Sequence, residues 1–250
     1  MKIKNILISQ PEPTDLDKSP YGELVKKFNL NICFRKFIQI DGITSREFRQ
    51  ERINLLDYSA VIFTSRNAVD HYFRIAKEMR AEIPDSMKYF CISEFTAYYL
   101  QKYIQFRKRK IFHCKENFDI LTELIRKHKG EKFLLPCSDI HKTEIPKILD
   151  GLKVSYRKAV IYRTLASDLS DINIKDFDML VFFTPAGIRS LFKNFPDFKQ
   201  NNCAIGVFGP STAKAAQEVG LKLNVQAPTK TAPSMTMAID QFLESAGKKK

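Results

Sequence analysis

Two stretches of the sequence decide the fold: residues 61–73 read VIFTSRNAVDHYF, and residues 181–192 read VFFTPAGIRSLF. Each begins with an apolar run of β-branched and aromatic residues, and continues into a hydroxyl residue, a turn and a helical pattern. An apolar run without polar alternation is typical of a strand that is buried on both faces of a parallel sheet. Each stretch therefore predicts a parallel strand followed directly by a helix.

The same pattern recurs along the chain at a domain-sized interval. Thr64 and Thr184 are 120 positions apart, and residues 34–40 resemble residues 156–162 at a similar offset. Such an interval is too long for a solenoid repeat and has the size of a domain. We interpret the chain as a duplicated α/β unit, and the alternative is that any two strand–helix units look alike by chance.

The alternation of strands and helices predicts an α/β fold with two doubly wound parallel-sheet domains. In each half, one strand–helix unit precedes a long extended segment and three units follow it. We expect the two extended segments to cross between the domains and to pair as a two-stranded β-ladder linker. The first domain would then contain residues 1–34 and 167–250, the second residues 42–153, and the connectors residues 35–41 and 154–166. Two connections permit hinge motion around a ligand in the interdomain cleft.

Three local patterns give sharper expectations. Thr44 and Glu47 have the spacing of a capping box at the start of a helix. Residues 31–40 are rich in β-branched and aromatic residues and predict an extended segment. Residues 221–225 predict the last strand of the chain.

The composition favours a soluble, cytoplasmic protein. The chain has 250 residues, of which 44% are hydrophobic, and its five cysteines form no CxxC pair. An odd number of widely spaced cysteines predicts neither a disulfide framework nor a zinc site. No signal peptide pattern is visible, and no apolar run approaches the ~20 residues that a membrane helix needs. We therefore expect a monomer in the cytoplasm that does not bind a membrane.

The net charge of +13 favours an anionic partner. The basic residues are spread along the chain, however, and their densest cluster, residues 107–110, is short. An RNA-binding protein would need a recognition motif or an aromatic–basic platform, and neither is visible. A small molecule with several carboxylates would use the charge equally well, so no nucleic acid partner is expected.

Small and hydroxyl residues stand at the ends of several predicted strands, where the N–H groups of the following helices could bind carboxylates. The candidates for substrate binding are Ser9, Thr64, Ser65, Arg66, Ser93, Thr96, Thr184, Gly187, Gly209, Ser211 and Thr212. The glycines would let the backbone approach a ligand closely. Serine and threonine are also ordinary N-caps, so a capping role alone is the alternative, above all for Thr96.

The sequence gives no sign of a metal or cofactor site. The four histidines, His71, His113, His128 and His141, lack the spacing of metal ligands, and His71 is expected at the surface of an amphipathic helix. A P-loop and a GxGxxG motif are absent as well. We therefore expect neither a metal nor an organic cofactor.

A set of short motifs resembles the uroporphyrinogen-III synthase family over nearly the full length of the chain. The motifs are FTS at 63–65, VIYRT at 160–164, FFTPAG at 182–187, FGPSTA at 208–213 and the helix start at 233–238. The resemblance implies two α/β domains joined by a β-ladder. It also implies a lyase that cyclises hydroxymethylbilane, a linear tetrapyrrole with eight carboxylates, to uroporphyrinogen III, with inversion of ring D and loss of water. The alternative is a non-enzymatic two-domain hinge protein that binds a small anionic ligand.

The resemblance also marks Tyr162 as the candidate catalytic residue that assists departure of the substrate hydroxyl. Tyr162 ends the second extended segment, so we expect it to face the interdomain cleft. A phenol with a pKa near ~10 stays protonated at neutral pH and can donate a proton. The alternative is a tyrosine that only packs within its strand.

The chain departs from the family pattern at three places. Gln10 stands where the family often has an arginine, residues 137–139 replace an Arg-Gly pair, and Ser93 replaces a glycine. The residues that could supply the missing positive charge are Arg66, Arg163 and Lys214.

Overall fold

The structure is a computed structural model that describes residues 3–114, 118–140 and 144–247. The strands of this part of the chain are β1 (Asn5–Ile8), β2 (Asn31–Phe34), β3 (Ile38–Gly42), β4 (Ala60–Phe63), β5 (Lys88–Cys91), β6 (Ile111–His113), β7 (Phe133–Ser138), β8 (Tyr156–Ala166), β9 (Met179–Phe182), β10 (Ala204–Phe208) and β11 (Val225–Ala227). Its α-helices are α1 (Pro20–Phe28), α2 (Ser45–Gln50), α3 (Arg66–Glu78), α4 (Glu94–Tyr99), α5 (Phe118–Lys127), α6 (Glu144–Leu152), α7 (Pro185–Asn194), α8 (Pro210–Glu218) and α9 (Met235–Gly247).

The chain folds into two compact units. Unit 1 contains residues 1–39 and 165–250, and unit 2 contains residues 40–164. Each unit has a sheet of parallel strands and helices between them, which confirms the predicted α/β class. The domain boundaries expected from the sequence stay a prediction. In the observed division the expected connectors belong to the units: residues 35–39 and 165–166 to unit 1, and residues 40–41 and 154–164 to unit 2.

The two sheets have the same spatial order of strands. The order in unit 1 is β2-β1-β9-β10-β11, and the matching order in unit 2 is β8-β7-β4-β5-β6, with β3 added beside β8. The first is the order 2-1-3-4-5 of a doubly wound fold. In the second, the two strands corresponding to β1 and β2 come last in the chain instead of first, as the duplication predicts.

The strands at the centre of each sheet are buried on both faces. In β4, Val61 and Phe63 pack into one core cluster, whereas Ala60 and Ile62 pack into another on the opposite face. All four side chains are fully buried. Successive side chains of a strand point to opposite faces, so a strand with two buried faces needs an unbroken apolar run. This is the pattern that the sequence shows.

The two expected connectors do form neighbouring strands, β3 and β8. The N–H of Ile43 donates to the carbonyl oxygen of Ile161 at 3.1 Å, and the N–H of Ser167 donates to that of Phe37 at 3.0 Å. Residue numbers rise along one strand as they fall along the other, so the pair is antiparallel. Within the extended segment predicted over residues 31–40, β2 ends at Phe34 after pairing with β1, and β3 begins at Ile38.

The local predictions have mixed outcomes. The capping box of α2 is confirmed: Thr44 Oγ1 accepts from the N–H of Glu47 at 3.2 Å, and Glu47 Oε2 accepts from the N–H of Thr44 at 3.0 Å. The last strand lies later than expected, at Val225–Ala227, because pairing with β10 begins only where Val225 lies opposite Gly206. Among the helices in the described part of the chain, none combines the length and apolar character needed to cross a bilayer.

Candidate active site

The strand order predicts where each unit can bind a ligand. In open parallel sheets, ligands bind outside the carboxyl ends of the strands at the point where the order reverses. This point lies between β1 and β9 in unit 1, and between β7 and β4 in unit 2. Ser9 and Thr184 follow the first pair of strands, while Ser138 and Thr64 stand at the ends of the second pair.

A pocket of about 260 Å³ lies at the reversal point of unit 2. It is lined by Thr64, Ser65, Ile92, Leu135, Cys137, Ser138, Ile140, Glu144, Ile145, Pro146 and Tyr162. Three residues predicted from the sequence, Thr64, Ser65 and Tyr162, are therefore brought together. Among the described residues that line the pocket there is no lysine or arginine, so its walls suit an uncharged ring better than a carboxylate.

Tyr162 presents its hydroxyl to Ser65. The distance from Tyr162 Oη to Ser65 Oγ is 3.3 Å, and the tyrosine is only 7% exposed. Burial raises the pKa of Tyr162 above its ordinary value of 10, although the hydrogen bond with Ser65 opposes the shift. The phenol is therefore protonated at neutral pH and can act as a proton donor.

Ser65 has two partners because of its place between β4 and α3. Its backbone is extended, and its Oγ accepts from the N–H of Ala68 at 3.1 Å, so it is the N-cap of α3. The same oxygen contacts the Tyr162 hydroxyl. Ser65 therefore has the capping role that was the alternative for the hydroxyl residues. It also contacts Tyr162, the candidate catalytic residue.

The end of β7 supports the backbone around Tyr162, which the sequence reasoning missed. Opposite Cys137 and Ser138, strand β8 carries one extra residue, a bulge of the kind that redirects side chains beside active sites. Asp139 Oδ1 then accepts from the Ser138 hydroxyl at 2.7 Å and from the N–H of Thr164 at 3.1 Å. Burial alone would raise the pKa of Asp139, but these hydrogen bonds outweigh burial and lower it. The ionised carboxylate ties the two strand ends together.

The other candidates of unit 2 do not line the pocket. Ser93 is the N-cap of α4, since its Oγ accepts from the N–H of Thr96 at 3.2 Å. Thr96 is buried, and its Oγ1 lies 3.0 Å from Ser93 Oγ. Arg66 is exposed at the start of α3, with its guanidinium 5.8 Å from the centre of the Tyr99 ring.

Three candidates of unit 1 meet at its own reversal point. Thr184 caps α7 by accepting from the N–H of Gly187 at 3.1 Å. A Cβ atom placed on Gly187 would lie 3.6 Å from Thr184 Oγ1 and 3.7 Å from Ser9 Oγ. The two hydroxyls therefore surround the buried glycine at the start of the helix.

The remaining candidates of unit 1 follow β10. Gly209 begins α8 with φ +86° and ψ 149°, a conformation that only glycine adopts readily. Ser211 is exposed, whereas Thr212 is 1% exposed. Whether these residues bind substrate stays a prediction.

Two of the three cations proposed to replace the missing family arginines, Arg163 and Lys214, have acidic neighbours in their own units. Arg163 Nη1 lies 3.0 Å from Glu47 Oε1, and Lys214 Nζ lies 3.9 Å from Glu218 Oε1. Both pairs are substantially exposed, so they are weak and a multiply charged ligand can compete for the cation.

No metal centre is found in the described residues: no three His, Cys, Asp or Glu side chains are grouped so that they could hold an ion. His141 lies outside the described residues, so its expected lack of a metal role stays a prediction. His71, expected at the surface, is half-buried, and its ring stacks on Tyr162 with the ring centres 5.2 Å apart.

The fold and the site define an α/β protein of two parallel-sheet units, with a hydroxyl-bearing pocket at the strand-order reversal of the second unit. In a comparison with protein families, the model described as uroporphyrinogen-III synthase HemD matches residues 19–237. The chain therefore belongs to the uroporphyrinogen-III synthase family. It is accordingly an enzyme, and the non-enzymatic hinge protein is not favoured.

Solved structures show the same fold. A uroporphyrinogen-III synthetase from Helicobacter pylori has a TM-score of 0.60 at 16% identity, over 97% of this chain and 100% of its own. A mutant uroporphyrinogen III synthase from the extremely thermophilic bacterium Thermus thermophilus has a TM-score of 0.60 at 14% identity, over 97% of this chain and 99% of its own. No curated protein sequence matches the chain.

Proposed function

We propose that this chain is a lyase that cyclises hydroxymethylbilane to uroporphyrinogen III, with inversion of ring D and loss of water. The observation that carries the proposal is the protonated Tyr162 phenol at a pocket whose described walls hold no lysine or arginine, in a member of this enzyme family. The substrate has a pyrrole ring that bears a hydroxymethyl group, and a proton donor beside that hydroxyl would make it a better leaving group.

The first step uses Tyr162 as a general acid. Its hydroxyl donates a proton to the leaving hydroxyl, the carbon–oxygen bond breaks with its electron pair going to oxygen, and water departs. The pyrrole nitrogen supplies electrons to the carbon, which gives a cationic azafulvene. The tyrosinate then takes the proton from this nitrogen, so the phenol is restored. Ser65, at 3.3 Å from Tyr162 Oη, would stabilise the transient tyrosinate by donating its own hydroxyl hydrogen.

The walls of the pocket fit the ring that reacts. Its hydrophobic members, such as Ile92, Leu135 and Ile145, can contact the faces of a pyrrole. Glu144 also lines the pocket and would stabilise the positive charge that develops on the ring as water departs. Because the azafulvene is reactive without further help, the remaining contribution of the protein is to hold the chain of rings in the geometry that leads to isomer III.

The carboxylates of the substrate would bind at the carboxyl edges of the two sheets. The helix N-termini that follow β4, β5, β9 and β10 each offer free N–H groups there. The proposed carboxylate contacts are Ser9, Arg66, Ser93, Thr96, Thr184, Gly187, Gly209, Ser211 and Thr212, with Arg163 and Lys214 as further cations. Thr64 and Ser65 would instead contact the reacting ring in the pocket. The net charge of +13 supports binding of a polyanion.

The proposal includes a cytoplasmic monomer that needs neither a metal nor an organic cofactor and binds no nucleic acid. The free thiols of Cys33, Cys91, Cys137 and Cys203 support a reducing compartment. Size-exclusion chromatography with light scattering tests the oligomeric state, and activity after exhaustive dialysis against a chelator tests the independence from metals.

An isomer assay tests the function. The purified chain is supplied with hydroxymethylbilane, the products are oxidised, and isomers I and III of uroporphyrin are separated by chromatography. We expect isomer III to form faster than isomer I forms spontaneously. Tyr162→Phe keeps the ring and removes the proton donor, so it should lower kcat by about 100-fold or more. Isomer I alone, at the spontaneous rate, would refute the synthase. Wild-type kcat in a folded Tyr162→Phe variant would remove Tyr162 from the mechanism.

A further inference from the structure

A histidine and an arginine of α3 lie directly behind Tyr162. The His71 ring is nearly parallel to the Tyr162 ring, with 20° between their planes and 5.2 Å between their centres. His71 Nδ1 accepts a hydrogen bond from Arg74 Nε at 3.2 Å. The imidazole therefore packs face to face on the phenol ring, and its Nδ1 atom is held by the hydrogen bond from Arg74.

Arg74 also binds the backbone on which Tyr162 stands. Its Nη2 donates to the carbonyl oxygen of Ile43 at 2.7 Å and to that of Ile161 at 3.4 Å. Ile161 immediately precedes Tyr162, and its carbonyl oxygen also accepts from the N–H of Ile43. The remaining guanidinium nitrogen of Arg74, Nη1, donates to Glu78 Oε1 at 2.6 Å. One planar group with several fixed donors thus holds both the ring that packs on Tyr162 and the peptide bond before it.

Gly42 leaves the space that this arrangement needs. A Cβ atom at this position would lie 2.8 Å from Arg74 Nη2 and 2.9 Å from His71 Nδ1. Both distances are shorter than real contacts of a Cβ atom. Its backbone does not have a positive φ, so a methyl group here would act by displacing Arg74 or His71 and not by straining the backbone.

The imidazole is neutral in this position. Burial lowers the pKa of His71, and the charge of Arg74 lowers it further, while Asp70 and Asp41 oppose the shift. A neutral ring can accept at Nδ1 from Arg74 and carries its hydrogen on Nε2. A protonated ring would place a donor against the Arg74 donor.

We propose that His71, Arg74 and Gly42 are positioning residues that aim the Tyr162 hydroxyl at the departing hydroxyl of the substrate. This inference rests on the proposed function. Ser65 contacts the phenol oxygen through a single hydrogen bond at 3.3 Å, which does not by itself fix the tilt of the ring. The stacked imidazole blocks tilting of the ring toward α3, and the clamped peptide bond before Tyr162 fixes the backbone from which the side chain extends. A donor displaced by about 1 Å loses much of its effect on rate, so the cluster acts on kcat.

A double-mutant cycle with Tyr162→Phe separates positioning from a general structural role. His71→Leu removes the flat partner ring and should lower kcat for isomer III by about 10-fold or more, with KM within a factor of two. In the Tyr162→Phe background the same change should have no further effect on kcat, because no hydroxyl remains to be aimed. His71→Phe restores a flat ring and should recover most of the lost rate.

Two further variants test the same cluster with smaller changes. Thermal unfolding monitors whether each variant is folded. Arg74→Lys can still reach a carbonyl but cannot bind His71 and both carbonyls together, so it should lower kcat by several-fold. Gly42→Ala should do the same because its methyl group displaces both side chains. Equal losses in the wild-type and Tyr162→Phe backgrounds, or unchanged kcat in folded His71→Leu, would overturn the positioning role. Failure of the wild-type chain to form isomer III would instead overturn the proposed function.

Discussion

The Ser65 hydroxyl oxygen both caps α3 and contacts the Tyr162 hydroxyl, and comparison with a second helix cap separates the effects of these two contacts on stability and activity. Ser65→Ala removes the N-cap of α3, where Oγ accepts from the N–H of Ala68 at 3.1 Å. Loss of a serine cap costs about 1 kcal/mol of the free energy of unfolding. In a chain of this length that corresponds to a fall in Tm of about 2–4 °C.

The same substitution removes the hydrogen bond to the Tyr162 hydroxyl. A hydrogen bond of this kind contributes about 1 kcal/mol net, and if it holds the phenol in the transition state, its loss lowers kcat about fivefold. KM should change little, because the pocket has other walls for the ring. The measurements are the rate of isomer III formation at several substrate concentrations and the midpoint of thermal unfolding.

Ser19→Ala is the matched control. Ser19 caps α1 by accepting from the N–H of Gly22 at 3.3 Å, and it is not one of the predicted site residues. It should lower Tm by a similar amount and leave kcat unchanged. If Ser65→Ala lowers Tm but keeps the kcat of the Ser19→Ala control, the contact with Tyr162 does not contribute to the reaction, and the reasoning is refuted.

Three other predictions concern charge, backbone and pH. Arg66→Gln should raise KM several-fold at constant kcat, with Arg109→Gln, also an exposed arginine, as control. Steady-state kinetics measures both constants, and an unchanged KM argues against a carboxylate contact. Gly209→Ala should lower the free energy of unfolding by about 1–3 kcal/mol, as measured by denaturant unfolding, because φ at this position is +86°. A loss below about 0.5 kcal/mol would mean that the backbone relaxes to another conformation. Burial raises the pKa of Tyr21 to about 12 and that of Cys203 to about 11. The folded state keeps these protons longer than the unfolded state, so stability should fall as the pH rises from about 9 to 12; a flat Tm over this range would contradict the assignment.

Much of the fold could be predicted because its signals are local. The unbroken apolar run of Ala60–Phe63 matches a strand that is buried on both faces, and the Thr44–Glu47 capping box forms as its spacing predicts. Strand partners are harder to predict because they depend on tertiary pairing. The pattern of residues 31–40 predicts an extended segment but does not show that β2 pairs with β1 while β3 pairs with β8.

The candidate site was predictable only in part for the same reason. Thr64 and Ser65 follow a strand that the sequence identifies, and Tyr162 came from the family resemblance. The network of Asp139 depends on a bulge in β8, which no local pattern marks. His71 looked like a surface residue because its helix is amphipathic, whereas the neighbouring strand brings Tyr162 against its ring.

The order of the strands has a consequence for synthesis on the ribosome. β1 ends at Ile8, and its partner β9 begins at Met179, 171 positions later. At a synthesis rate of about 5–20 residues per second, β9 is made on the order of 9–34 s after β1. Unit 2 is contiguous and emerges completely in that interval, so it can fold while the apolar edge of β1 is still uncovered. The nascent chain thus carries an early segment that ribosome-associated chaperones would have reason to shield until the late strands arrive.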